Sequence, residues 1–297
     1  VSVRLKIAAL VLVVAASGCS AATAGPPAES RARAASAMHV PPPGEEARAL
    51  AVPFDAYNFS PAEIMTIEAA QDLLIRDCMR GQGMEWRLLP LPAEADVEPP
   101  NRRRYGVIEP RIARLFGYHA PPDRPSVARY DTERNDRLTR LSPAARRAAY
   151  GDPGGDANGC SGEAEAHLAK DTQKVDASLF NTLVRQTFEE SQRDGNVVRA
   201  FRAWSACMRN KGFPYPDPIA AVTDDRWLNT QQPSRQEIIA AEADVSCKKD
   251  GDLVATWAAA EERIQRDVVL AHAEYFRTLK THKDRQLGAA RRLLARG

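Results

Sequence analysis

The chain has 297 residues, with 41 Lys and Arg against 39 Asp and Glu and a formal net charge of +2. That small excess sits in Arg4 and Lys6, and without them the two signs balance at 39 each, which removes any global electrostatic case for binding nucleic acid. No apolar run reaches the ~20 residues that a spanning helix needs, so the sequence predicts an anchored chain and not a spanning one.

The N-terminal segment joins Arg4 and Lys6 to an almost continuously apolar stretch, Ile7 to Ala16, and then small residues, Ala16-Ser17-Gly18-Cys19. Such an order reads as a secretory signal with a cleavage point. It resembles the lipobox of bacterial lipoproteins, and the resemblance implies cleavage of residues 1–18 and attachment of acyl chains to Cys19. The mature protein is then expected on the extracytoplasmic face of the cell membrane, held by lipid. Several chains on one cysteine would make that anchoring stable, since a single chain at ~0.8 kcal/mol per buried CH2 holds only marginally. Residues 19–53 follow, rich in Ala, Pro, Ser and Gly and including Pro41-Pro42-Pro43-Gly44, with no sustained apolar period. They are expected to form a flexible tether.

Helices are predicted from there on. Ser60-Pro61-Ala62-Glu63 carries a capping box with Pro at the first helical position, and Ile64, Ile67, Leu74, Ile75 and Cys78 set an apolar period that should run to about Arg80 before Gly81 and Gly83. Between Pro90 and Pro153 prolines are frequent, and loops with short helices at Pro110 to Phe116 and Ser142 to Tyr150 are expected. Further helices are predicted from Ala177 to Gln192 and from Gly195 to Gly212. Ser234 with Glu237 makes another capping box, opening a helix through Cys247. Finally, Leu253, Trp257, Ala260, Ile264, Val268, Ala271, Tyr275 and Leu279 step by three or four, one stripe on a long last helix that could protrude. Seven bases lie between Arg277 and the last residue (Arg277, Lys280, Lys283, Arg285, Arg291, Arg292 and Arg296) against one acid, Asp284. They suit the C-terminal end of a helix dipole, and contact with anionic headgroups or wall polymers is the other reading.

The chain also resembles itself. Asp77-Cys78-Met79-Arg80 ending at Gly83 parallels Ala206-Cys207-Met208-Arg209 ending at Gly212, each followed by an aromatic and a Pro-rich loop and each with a later cysteine, Cys160 or Cys247. Two helix, loop, helix units are therefore expected, over 54–170 and 171–297. If lipid consumes Cys19, four cysteines remain and allow three pairings. A disulfide within each unit, Cys78 to Cys160 and Cys207 to Cys247, closes the long loops that crossed pairings would leave open, and an extracytoplasmic location permits it.

Trp204-Ser205-Ala206-Cys207-Met208-Arg209, Gly212-Phe213-Pro214-Tyr215, Glu237-Ile238 with Ala243-Asp244-Val245-Ser246-Cys247, Tyr105-Gly106-Val107, Phe116-Gly117-Tyr118-His119 and Gly159-Cys160-Ser161-Gly162-Glu163-Ala164 together resemble a pattern in actinobacterial secreted and membrane-anchored envelope proteins. The similarity spans about residues 60 to 275. It implies a cell-surface setting and carries over no catalytic residue.

Sequence motifs for chemistry are few. G-x-S-x-G, H-E-x-x-H, G-x-G-x-x-G and the phosphate-binding Gly-Lys pattern are all missing from the sequence. His39, His167, His272 and His282 are scattered, while His119 stands in a loop beside aromatics. Gly159-Cys160-Ser161-Gly162 looks superficially like a nucleophile loop but suits a disulfide cysteine in a tight turn. Asp152 to Asn158, with Glu163 and Glu165, offers oxygen ligands without the EF-hand spacing. Trp204, Phe213, Tyr215 and Trp227, with His119, could line a groove for glycan or peptide, although aromatics more often fill cores.

A mainly α, disulfide-stapled ectodomain with long Pro-rich loops is expected, without cofactor or metal. Its function is expected to be non-enzymatic binding or scaffolding at the envelope, with the membrane as one partner and an envelope complex or wall component as another. An envelope hydrolase assembled only in three dimensions, or a wall-glycan-binding module, are the alternatives.

Overall fold

Ser60 and Ser234 start helices as their spacing predicts. Ser60 Oγ accepts the Glu63 amide at 3.2 Å while Glu63 returns a carboxylate oxygen to the Ser60 amide at 2.8 Å, and Ser234 and Glu237 repeat the exchange at 3.1 and 3.3 Å. These contacts come from a computed structural model that describes residues 40–152, 158–170, 172–173 and 175–296. Contacts divide the chain into Val1–Met38 and His39–Gly297, and the described residues belong to the second unit.

That unit is helical, with no strand among the described residues. In chain order the helices are α1 (Glu45–Ala49), α2 (Pro61–Gly81), α3 (Pro110–Phe116), α4 (Pro125–Arg140), α5 (Pro143–Tyr150), α6 (Gly159–Leu168), α7 (Ala177–Ser191), α8 (Gly195–Asn210), α9 (Pro218–Val222), α10 (Asp225–Leu228), α11 (Arg235–Asp250), α12 (Leu253–Ala271) and α13 (Ala273–Leu294). None of the described helices is long and apolar enough to cross a membrane.

The repeated Cys-Met-Arg motif is a repeated helix end. In the first copy the Gly83 amide donates to Arg80 O at 3.0 Å and the Met84 amide to Met79 O at 2.9 Å; in the second, Gly212 donates to Arg209 O at 3.0 Å and Phe213 to Met208 O at 2.9 Å. Both glycines hold positive φ, 71° and 88°, as this helix stop requires. It turns the chain so that Met84 packs beside Met79, and Phe213 beside Met208. Each motif cysteine is bonded as its unit predicts, Cys78 to Cys160 and Cys207 to Cys247, with Cα atoms 5.7 and 5.8 Å apart. One bridge joins α2 to α6 and the other joins α8 to α11.

Four expectations change. The two repeats do not fold as separate bodies: α3 packs on α11 and α13 packs on α2, and one core holds Tyr105, Ile112, Phe116 and Tyr118 from the first half with Trp204, Met208, Val245 and Trp257 from the second. Residues 40–53 of the expected tether, the part of it among the described residues, are packed against the rest of the fold. Val40, Pro41, Pro43, Ala47 and Val52 are buried, the Pro41 carbonyl accepts from Arg102 and Arg124, and the Gly44 amide donates to Glu109 at 2.8 Å. A proline run needs few backbone partners, so side chains from elsewhere can dock it without a local apolar period.

The third change lies in the segment expected to be mostly loop, where α4 runs for 16 residues. Its packing is largely polar: Arg137 bonds Asp72 at 2.8 Å and lies 4.2 Å from the centroid of the Trp86 ring, and Arg134 pairs with Glu68 at 3.5 Å. A helix held this way has no apolar stripe to read. Likewise Gly159-Cys160-Ser161-Gly162 is the first turn of α6 and not an isolated tight turn. Fourth, the long apolar stripe belongs to two helices that break at His272. Leu253, Trp257, Ala260 and Ile264 are buried on α12, Ala271 is exposed, and Phe276, not Tyr275, is the buried aromatic of α13. The C-terminal helix is long, and it lies along α2 instead of protruding.

Candidate functional site

His119 is the loop histidine that the sequence singles out, and three local features place it. Gly117 ends α3 at φ +56°, a conformation that turns the chain sharply toward the start of α11. A Cβ there would meet Glu237 Oε1 at 2.6 Å, so the glycine is needed for space as well as for its backbone angle. Glu237, the third residue of α11, is fully buried, and the N-terminal end of a helix favours its negative charge.

Glu237 Oε1 accepts from the Tyr118 amide at 2.8 Å, the His119 amide at 3.2 Å and His119 Nδ1 at 2.7 Å. On the other side of the ring, His119 Nε2 lies 2.8 Å from the Thr230 carbonyl. Two acceptors flank one imidazole, an arrangement that fits the doubly protonated ring. Burial works against that charge, but the Thr230 carbonyl and the Glu237 carboxylate outweigh it and raise the His119 pKa above its ordinary value. Both ring nitrogens face acceptors from the protein itself, Glu237 on one side and Thr230 on the other. That geometry ties the α3–α4 loop, the α10–α11 loop and the start of α11 together.

Two further buried acids lie on α11 and α12. Asp244 accepts from Trp204 Nε1 at 2.9 Å and Lys248 Nζ at 2.9 Å, and Lys248 also donates to the Val107 carbonyl at 3.1 Å. Glu261 accepts from Arg104 Nε at 2.9 Å, the Tyr105 hydroxyl at 2.9 Å and Gln265 Nε2 at 2.8 Å, with a second, shorter bond from Arg104 Nη2. Burial first, and then the Glu261 charge, push the Tyr105 hydroxyl well above the ordinary tyrosine range. Each hub joins a helix of the second half to the Arg104–Tyr118 stretch of the first. None was singled out from the sequence as a site, and Glu237 was expected only as a cap. The readable signal was an acid inside an otherwise apolar helical face, as in Ala243-Asp244-Val245.

The aromatic set does not form a groove. Trp204, Phe213, Tyr215 and Trp227 are at most 9% exposed. Tyr118 stacks on Trp227 at 5.3 Å between centroids, Tyr215 meets Trp227 edge-on at 6.1 Å, and the Trp227 indole donates to the Ala221 carbonyl at 2.9 Å. They close the core, which was the competing expectation for aromatics. Cys19 and residues 153–157 of the oxygen-rich loop lie outside the described residues, and Asp152 pairs with Arg147 at 2.8 Å. Among the described residues no group of three His, Cys, Asp or Glu is placed to hold a metal ion.

A recess of ≈ 220 Å³ is lined by Arg102, Arg103, Ile108, Glu109, Pro121 and neighbouring residues, and it includes Ala120, next to His119 in the chain. Arg102 is already held by Glu98 and Glu109, and Arg103 donates to the Tyr118 and His119 carbonyls at 2.7 and 3.1 Å. Ligand sites for cofactors and drug-sized molecules run from roughly 300 to 1,000 Å³. This recess therefore fits a side chain or a small group only.

Comparison with protein-family profiles, with curated proteins and with solved structures finds no match.

Proposed function

We propose that the chain is a lipid-anchored extracytoplasmic protein of the cell envelope, tethered through Cys19 and acting by non-enzymatic binding or scaffolding. The observation that carries this is the pair of disulfides, Cys78–Cys160 and Cys207–Cys247, which together use every cysteine except the one in the lipobox-like segment. Disulfides of this kind persist in oxidising compartments outside the cytoplasm. A thiol spared from pairing at the end of an apolar, basic-headed segment is where the lipid would go. The resemblance to actinobacterial envelope proteins supports the same address. A binding role is favoured by the occupied state of His119, whose two nitrogens already face Glu237 and Thr230.

The test is expression of the full chain in a lipoprotein-processing bacterium, followed by detergent phase partition and mass spectrometry of the N-terminal peptide. The expected result is a mature N-terminus at Cys19 carrying acyl mass, with the protein in the detergent phase. Cys19→Ser is expected to leave the aqueous-phase protein folded and unmodified. An unmodified Cys19 in membrane-associated protein would overturn the anchoring.

A further inference from the structure

One surface of the molecule is strongly charged and carries no part of the buried network. Helix α13 spans 22 residues, or ~33 Å at 1.5 Å per residue. Phe276, Lys283, Leu287 and Ala290 are turned inward, and Lys283 is neutralised there by Glu63 at 2.9 Å and by the Asp55 and Asn58 carbonyls. On the exposed residues the balance is one-sided: Arg277, Lys280, Arg285, Arg291, Arg292 and Arg296 against Glu274 and Asp284. At the helical angle of 100° per residue the five bases within the helix, Arg277, Lys280, Arg285, Arg291 and Arg292, fall within less than half of the circumference, and Arg296 follows just beyond its end. Lys280 pairs with Asp284 at 2.8 Å, whereas Arg277, Arg291 and Arg292 make no ion pair among the described residues.

Complementing the helix dipole accounts for Arg291 and Arg292 in the last turn. That effect fades within one turn and does not reach Arg277, some four turns earlier. The charges are spread along a straight face instead of converging on one point, so they match an extended anionic surface better than a single phosphate or carboxylate.

We propose that the exposed face of α13 is a docking surface for an anionic lipid bilayer. The setting rests on the membrane-anchored reading, in which a second, electrostatic contact adds to the lipid chains. The bases lie flat along the helix, so several reach the headgroups at once, and anionic lipid attracts each by electrostatics that require no particular hydrogen-bond geometry.

The experiment measures partition of the full chain onto vesicles of phosphatidylcholine alone and onto vesicles with about one third phosphatidylglycerol, at low salt. The ratio of the two affinities removes the anchor's contribution. If Cys19 carries no lipid, the zwitterionic baseline falls and the ratio survives, so the two proposals fail separately. Each base near a charged membrane is worth roughly fivefold, and Arg277→Gln/Arg291→Gln/Arg292→Gln is therefore expected to cut the ratio by roughly tenfold to a hundredfold. The matching triple Arg→Lys variant is expected to keep it, and Asp284→Asn to raise it severalfold. The proposal is overturned if the Gln variant keeps the wild-type ratio, or if the Lys variant loses it as the Gln variant does, since that would mark a geometric protein contact. It is also overturned if soluble polyphosphate binds the wild type more tightly than the anionic vesicles do at equal phosphate, which would make the face a site for an anionic polymer.

Discussion

Glu237→Gln changes one atom in a fully buried position and is expected to cost about 5 to 7 kcal/mol. The wild-type side chain accepts three bonds at Oε1, from Tyr118 N, His119 N and His119 Nδ1, and a fourth at Oε2 from Ser234 N. Charge-assisted bonds are worth ~1.5–3 kcal/mol and neutral ones ~0.5–1.5, so removing the charge weakens each by about 1 kcal/mol. The amide must also turn its NH2 toward a donor, either Ser234 N or the loop amides, which leaves a buried donor unsatisfied at a further ~1–3 kcal/mol. Urea unfolding with the disulfides intact, followed by far-UV circular dichroism at about pH 5.5 and about pH 8.5, measures the loss. Its pH dependence follows from the sign of the His119 shift. The folded pKa is raised, so this contribution is fully present below the ordinary histidine value of about 6.5 and is lost as pH rises through the folded value. Wild type is therefore expected to lose this increment from acid toward alkaline pH, and the variant to lose less. A loss under about 1 kcal/mol, or equal pH slopes in the two proteins, would refute the assignment of Glu237 as the charged hub.

The other predictions concern the helix ends, the second hub and the staples. Gly117→Ala is expected to destabilise more than Gly212→Ala in thermal unfolding: both hold positive φ, costing ~1–2 kcal/mol, but a Cβ at Gly117 strikes Glu237 at 2.6 Å while one at Gly212 meets nothing within 4 Å. Asp244→Asn leaves the Lys248 ammonium buried without its carboxylate and is expected to cost about 3 to 5 kcal/mol; the double change Asp244→Leu/Lys248→Met should cost far less, and urea midpoints compare them. Reducing the disulfides separately with paired Cys→Ser variants is expected to remove ~4 kcal/mol for Cys207–Cys247 and slightly more for Cys78–Cys160, whose sequence separation is 82 against 40. Equal melting temperatures with and without the bridges would contradict that loop-entropy account.

Local chemistry made much of this legible. The capping boxes at Ser60 and Ser234 satisfy helix-start amides with neighbours three residues away, so the boundaries of α2 and α11 need no knowledge of the rest of the chain. The Cys-Met-Arg repeat ends each helix through bonds that span only a few residues, and the same short-range logic marks Gly83 and Gly212. Where the stabilising partner is distant, the sequence is silent. Helix α4 is held by Asp72 and Glu68 from α2, and the Pro41 carbonyl by Arg102 and Arg124, so neither shows the apolar period that would betray it.

The sequence by itself determined an α-helical chain with paired cysteines, because helix caps, stops and repeated motifs act over single turns. Only the tertiary structure decided that the two repeats share one core and that the aromatic set is sealed within it. It alone decided that His119 is held between Glu237 and Thr230, which lie 118 and 111 residues away. The physical reason is the cost of burying charge: Glu237, Asp244 and Glu261 can leave water only where partners from distant segments meet them, and that meeting is a property of the packed fold.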